Sequence, residues 1–276
     1  LGDVYKRQIL YSALTYVPVS QTFAAGVIPG LILLLFMIIL VLFKCRNVQR
    51  YKPATNYEKL VLGIKAFPAL LTPLIILGGI YGGFLTPSES AAVSGIWAIF
   101  MGFVIYRELK IKSLLQSVKD TAITTAVIFS IIAMATFLSK VFTYTQFPQF
   151  IIKSITEMGV GLNFFWFAMA LICLILGTFI EIVPVFYLTI PICTAIILSF
   201  DQSLIHLYVV FVAFAGIGMI TPPVCVGIYT SASVIKENPG KAFKEVPLFT
   251  AVGILYGIIM ILFPSLSTWL PAYLSG

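Results

Sequence analysis

Apolar residues in this chain run in uninterrupted blocks, too long for strands and too uniform for helices with one wet face. The first block, Phe23 to Phe43, holds no charged residue, and Lys44, Arg46, Arg50 and Lys52 follow it directly. Such a block matches the roughly 20 residues that carry a helix across a bilayer, and the basic cluster after it marks a cytoplasmic end. Asn47 to Lys65 is polar and mixed in charge, and it reads as a cytoplasmic connector with a surface helix. The next apolar region, Phe67 to Tyr106, is too long for one span and is interrupted at Thr86-Pro87-Ser88-Glu89-Ser90. Proline in the first turn with an acid two residues later opens a new helix. The basic residues Arg107, Lys110 and Lys112 then return the chain inside, so the region predicts two spans joined by an outer turn.

Thr121 to Phe142 predicts another crossing. In Thr143 to Glu157 apolar positions such as Phe147, Phe150, Ile151 and Ile155 recur at roughly helical spacing, as in an amphipathic helix on the outer surface. Leu162 to Ile180 and Val185 to Phe200 are separated by an acid and a proline, and Leu204 to Ile220 and Val224 to Ile235 by Thr221-Pro222-Pro223. Lys236, Lys241 and Lys244 place the following loop inside, and Val246 to Leu270 makes the last span. Counting sides leaves a single crossing between the Thr121 span and the Lys236 loop. The balanced scheme is a re-entrant hairpin over 162–200 followed by a broken transmembrane helix over 204–235. The alternative is that each hairpin helix crosses by itself; Lys140 and Lys153, placed near the outer face by the scheme, count mildly against the scheme. The chain then divides into the end of a preceding element (1–22), scaffold helices with cytoplasmic connectors (23–120), and a C-terminal region (121–276) that holds the hairpin, the broken helix and a final span over 246–270.

Composition narrows the class. Of 276 residues, 60% are hydrophobic and only 10% charged, with a mean hydropathy of +1.07, against about 25% charged residues in a soluble domain. The fold class is therefore an all-α polytopic membrane protein, and a secreted enzyme, a nucleic-acid binder and a disordered chain are excluded. The net charge of +7 comes from Lys and Arg set between apolar blocks, which is the inside bias of membrane loops rather than a nucleic-acid footprint. Cys45, Cys173, Cys193 and Cys225 show no C-x-x-C spacing and read as packing residues. His206 is the single histidine and cannot build a histidine metal site. The chain opens on Leu1, and polar Leu1 to Gln8 is not a signal peptide. It reads as a fragment whose matching N-terminal half is missing.

Candidate chemistry lies at two interruptions, Gly177-Thr178-Phe179-Ile180-Glu181-Ile182-Val183-Pro184 and Gly216-Ile217-Gly218-Met219-Ile220-Thr221-Pro222-Pro223. Non-helical backbone at membrane depth survives only where protein, water or an ion satisfies its polar groups. Glu181 in an apolar stretch costs about 2.5 to 3.5 kcal/mol on insertion scales, and a bound cation offsets that cost. Gly177 and Thr178 supply carbonyls and a hydroxyl, the hard oxygen ligands of a small cation. Pro222 and Pro223 donate no hydrogen bond and free carbonyls around Ile217 to Met219, Gly216 and Gly218 add flexible backbone, and Thr221 adds a second hydroxyl. The helix restarting near Val224 points its positive end at the same place, so Pro222, Pro223 and Val224 border the position of an anionic solute group. Opposing readings are a loop tip where Glu181 meets water and a purely structural proline kink.

Gly78-Gly79-Ile80-Tyr81-Gly82-Gly83-Phe84-Leu85-Thr86-Pro87-Ser88-Glu89-Ser90-Ala91-Ala92-Val93, the Gly177 to Glu181 motif and Gly216 to Pro223 together resemble the large membrane subunit of tripartite ATP-independent periplasmic (TRAP) transporters. The likeness runs from about Tyr11 to Tyr273. It implies an elevator-type, sodium-driven importer of organic acids such as C4-dicarboxylates or sialic acid, in the bacterial inner membrane. It also implies two partners, a small membrane subunit and a periplasmic binding protein, and no cofactor beyond Na+ as coupling ion. The sodium site would comprise Gly177, Thr178, Glu181, Gly216, Gly218 and Thr221; the family often has Asp where this chain has Glu181. Competing readings are a channel-like or structural membrane subunit, and a membrane-embedded hydrolase, which lacks H-E-x-x-H and G-x-S-x-G motifs here.

Overall fold

The computed structural model describes residues 2–47, 55–146, 149–150, 153, 161–180, 182–222, 228, 240 and 243–275. Every regular element among them is helical. In chain order these are α1 (Gly2–Thr15), α2 (Val19–Lys44), α3 (Asn56–Tyr81), α4 (Pro87–Phe100), α5 (Ile111–Tyr144), α6 (Leu162–Phe179), α7 (Ile182–Ser199), α8 (Leu204–Ile220), α9 (Val246–Leu262) and α10 (Ser265–Ser275). Among the described residues, α2, α3, α4 with its extension to Ile105, α6 and α7 are each long and apolar enough to cross a membrane, and α9 and α10 form a sixth, bent pair. The chain is an all-α, multi-spanning membrane protein.

Two units separate by contact: residues 1–46 with 128–276, and residues 47–127. In the second unit the Thr86 turn is built from local hydrogen bonds. The Glu89 carboxylate accepts from the Thr86 N–H at 2.8 Å, and the Glu89 N–H donates to Thr86 Oγ1 at 3.3 Å. Gly83 sits at φ +70°, left-handed backbone that only glycine adopts at no steric cost. It lets the Phe84 and Leu85 N–H groups fold back onto Gly79 O at 3.1 and 3.0 Å. The Trp97 indole N–H then donates to Pro68 O at 3.1 Å and the Tyr106 hydroxyl to Lys65 O at 2.8 Å, tying α4 along α3.

In the first unit α8 is the central element. Ten of its residues are buried, including His206, Tyr208, Phe211, Phe214 and Gly218, on all sides of the helix, as expected of a core helix rather than a surface one. It packs against α1, α2, α6, α7, α9 and α10. Ring contacts fix its neighbours: Phe186 of α7 lies 4.5 Å from Phe211, Tyr11 of α1 4.9 Å from Tyr208, and Trp166 of α6 edge-on to His206 at 4.9 Å.

Three elements differ from the sequence expectation. The polar connector and the following span are one helix, α3, beginning at Asn56 behind a Thr55–Glu58 cap in which the Thr55 N–H donates to the Glu58 carboxylate at 2.7 Å. The helix expected from Thr121 starts at Ile111, because nothing between Ile111 and Thr121 breaks a helix. The last apolar run, expected as one span, is two helices meeting at 59°. Pro264 stops α9 there, having no N–H to continue the ladder. The hairpin helices α6 and α7 have 18 residues each, about 27 Å at 1.5 Å per residue, so each has the length to cross by itself. The expected amphipathic segment over 143–157 lies largely outside the described residues, as does the second half of the expected broken helix, over 224–235.

Candidate functional site

The site is built from the C-terminal ends of two apolar helices that can approach because each carries glycine at the crossing. A methyl carbon placed on Gly218 would lie 2.8 Å from Gly177 Cα and 2.9 Å from Leu174 O, and one on Gly177 would lie 2.9 Å from Ala215 O. These are backbone atoms, so no side-chain rotation could make room. The motifs singled out in the sequence thus meet through Gly177 and Gly218, 41 positions apart in the chain.

Three residues beyond the crossing both helices unwind. Ile180 is extended at φ −125°, ψ 145° and Thr221 at φ −92°, ψ 137°. A helix leaves its last four carbonyls without intrahelical partners, and its C-terminal end carries roughly half a negative charge. Two such ends side by side concentrate negative charge and carbonyl oxygen in one place. The hydroxyls are held in place locally: Thr178 Oγ1 donates to Ile175 O at 2.7 Å, and Thr221 Oγ1 donates to Ile217 O at 2.7 Å. Each side chain therefore keeps its oxygen lone pairs for a further partner.

Gly216 does not join the glycine crossing. No atom lies within 4 Å of a methyl carbon placed on it. It borders a cavity of about 490 Å³ between α1, α2, α8 and α9, which Pro29, Gly30, Ile220 and Tyr256 also line. That volume suits a small organic solute, and it adjoins the unwound end of α8. Pro222 is exposed just after that end. Glu181, Pro223 and Val224, the remaining expected site residues, lie outside the described residues. No group of three or more His, Cys, Asp or Glu side chains suited to a metal occurs among the described residues.

Sequence reasoning placed α9 within the last span but did not bring it to the site. Its Gly253 packs on Ile217 and its Gly257 on the Phe214 ring, with Thr250 beside Thr221. The signal was present as Thr250, Gly253 and Gly257 at helical spacing, which places them on one face.

Comparison with known proteins adds the family. The family described as tripartite ATP-independent periplasmic transporter, DctM component, matches residues 7–266. The C4-dicarboxylate TRAP transporter large permease protein of Vibrio cholerae is 33% identical over 97% of this chain and 64% of its own length. The sialic acid TRAP transporter large permease protein of the same organism is 28% identical over 97% of this chain and 63% of its own. The ectoine TRAP transporter large permease protein of Halomonas elongata is 27% identical over 95% and 62%. The chain thus spans somewhat less than two thirds of the length of these curated relatives.

Proposed function

This chain belongs to the DctM component of the tripartite ATP-independent periplasmic transporters, and from that membership we propose that it is part of the large permease subunit of a sodium-coupled importer of organic acids. It is a multi-pass protein of the bacterial inner membrane, and its family consists of transport proteins rather than enzymes. The observation that carries the coupling is the Gly177–Gly218 crossing, which sets two helix C-termini side by side and unwinds both three residues later. A cation answers the negative ends, the two hydroxyls and the Glu181 carboxylate together. The sodium site of this reading comprises Gly177, Thr178, Glu181, Gly216, Gly218 and Thr221. An ion that orders both unwound ends lowers the cost of binding solute next, which is positive linkage.

The solute class follows from chemistry shared among relatives whose names specify C4-dicarboxylate, sialic acid and ectoine. All three solutes carry a carboxylate, and the helix expected after Pro222-Pro223 presents a positive N-terminal end to such a group. In this reading Pro222, Pro223 and Val224 border the carboxylate, a periplasmic binding protein delivers the solute, a small membrane subunit braces the scaffold, and the site-bearing helices move as an elevator. The test is uptake by the full-length permease reconstituted with its small subunit and binding protein. A panel of radiolabelled carboxylates should enter only down an inward Na+ gradient and not when K+ replaces Na+. Uptake that is indifferent to Na+ would overturn the coupled reading and leave a channel.

A further inference from the structure

The broken end of α8 is closed on one side by α9, and the register of these two helices is informative. Phe214, Ile217 and Thr221 fall at i, i+3 and i+7 on one face of α8, and Gly257, Gly253 and Thr250 fall at i, i−4 and i−7 on one face of α9. A methyl carbon on Gly257 would lie 2.6 Å from Phe214 Cζ, and one on Gly253 2.8 Å from Ile217 Cγ1. The glycines bring α9 close. At the next step of the file a side chain replaces hydrogen, and the Thr250 hydroxyl oxygen lies 3.4 Å from that of Thr221.

That separation is long for a direct hydroxyl pair, whose usual distance is about 2.7–2.8 Å. It falls within the roughly 3.3–3.7 Å expected between two oxygens at right angles around a hard cation bound at about 2.3–2.6 Å. The Thr221 proton is already committed to Ile217 O at 2.7 Å, so its oxygen faces Thr250 with lone pairs. We propose that Thr250 is a further ligand of the coupling cation, supplying a second hydroxyl oxygen beside Thr221 at the α8 break. The inference rests on reading that break as the cation site. It extends the site to a third helix, so that the ion would hold α9 to α8 as well as α6 to α8.

The experiment compares Thr250→Val, Thr250→Ala, Thr250→Ser and Thr221→Val in the full-length permease with its partner subunits. Two readouts are taken: Na+-dependent uptake into proteoliposomes, and the rise in thermal midpoint of the purified permease in NaCl over choline chloride. Thr250→Val should raise the half-saturating Na+ concentration about tenfold, the lower range for loss of a group supporting a metal site. It should also shrink the sodium-dependent rise in midpoint, while Thr250→Ser keeps both near wild type. Thr250→Ala makes the same test with less bulk, should the valine variant fold poorly. If Thr221→Val shifts the sodium dependence and neither Thr250→Val nor Thr250→Ala does, Thr250 is no ligand and the break remains the cation site. If none of the four shifts it, the cation site itself is misplaced and the inference falls with it. A shift that Thr250→Ser shares with the valine variant would make Thr250 a packing residue and overturn the proposal.

Discussion

Gly216 and Gly218 lie on one turn of α8 and meet opposite surroundings. A methyl on Gly218 would press on the backbone of α6, which cannot rotate away, whereas one on Gly216 meets no atom within 4 Å. Gly218→Ala should therefore cost about 1–3 kcal/mol by overpacking, while Gly216→Ala gains up to about 1 kcal/mol of helix propensity. Thermal unfolding of the full-length permease in detergent reads the difference, and equal midpoints for the two variants would refute the glycine crossing. His206 gives a second check. Its ring is buried, with Nδ1 2.9 Å from Ser267 Oγ of α10. Ser267→Ala strands that nitrogen and should cost about 1–3 kcal/mol, seen as a lower midpoint with sodium dependence unchanged. For the cation reading the decisive pair is Glu181→Gln and Thr221→Val, expected to weaken sodium activation of uptake more than they reduce folded protein. Both variants keeping the wild-type sodium curve would move the site elsewhere.

Helix starts follow a local rule that tertiary structure did not override. At Thr86 the acid three residues on reaches back to the cap, and at Thr55 Glu58 does the same. The second pattern, Thr55-Asn56-Tyr57-Glu58, was as legible as the first by the capping-box spacing, and reading it would have placed the start of α3 at Asn56. Glu89→Gln keeps a side chain able to reach the Thr86 N–H and loses only the charge at the helix start, a small effect on an exposed side chain. Folding yield should fall slightly and sodium-dependent uptake should not change. Abolished sodium dependence at normal expression would place Glu89 in the ion site. The bend between α9 and α10 was less legible, because the run from Val246 to Leu270 stays apolar through Pro264 and hydropathy alone does not register a turn within a membrane.

On the scale of the molecule, Lys44 at the end of α2 and Glu245 before α9 form an ion pair at 2.6 Å, so these two ends share one face of their unit. Both side chains are about half exposed, at 52% and 42%, and such a pair contributes about 0–1 kcal/mol. It marks orientation more than it stabilises. From the Lys and Arg asymmetry we expect that face to be cytoplasmic, with residues 272–276 outside. Cys45 is an exposed free thiol next to Lys44, which makes it a native reporter. In full-length protein with its other cysteines replaced, a membrane-impermeant maleimide should label Cys45 only after the membrane is opened. Labelling of intact cells at Cys45 would invert the topology.

The amino-acid sequence by itself determined the class of the molecule, the place of most helices and the two interruptions, since each depends on local chemistry: apolar length, basic flanks, a proline or a capping pair within four residues. It also placed Gly177, Thr178, Gly216, Gly218 and Thr221 among the candidate residues, because helix-breaking residues inside an apolar run are visible without a partner. Only the tertiary structure decided which of them meet. Gly177 and Gly218 face one another while Gly216, two positions away, borders a cavity, a distinction set by how α8 is rotated against α6 and α9. That rotation is hidden in the sequence because α8 is buried on all sides and has no polar face to betray its orientation. The same holds for Thr250: its spacing from Gly253 and Gly257 puts the three on one face, but only the packing of those glycines against Ile217 and Phe214 brings its hydroxyl beside that of Thr221.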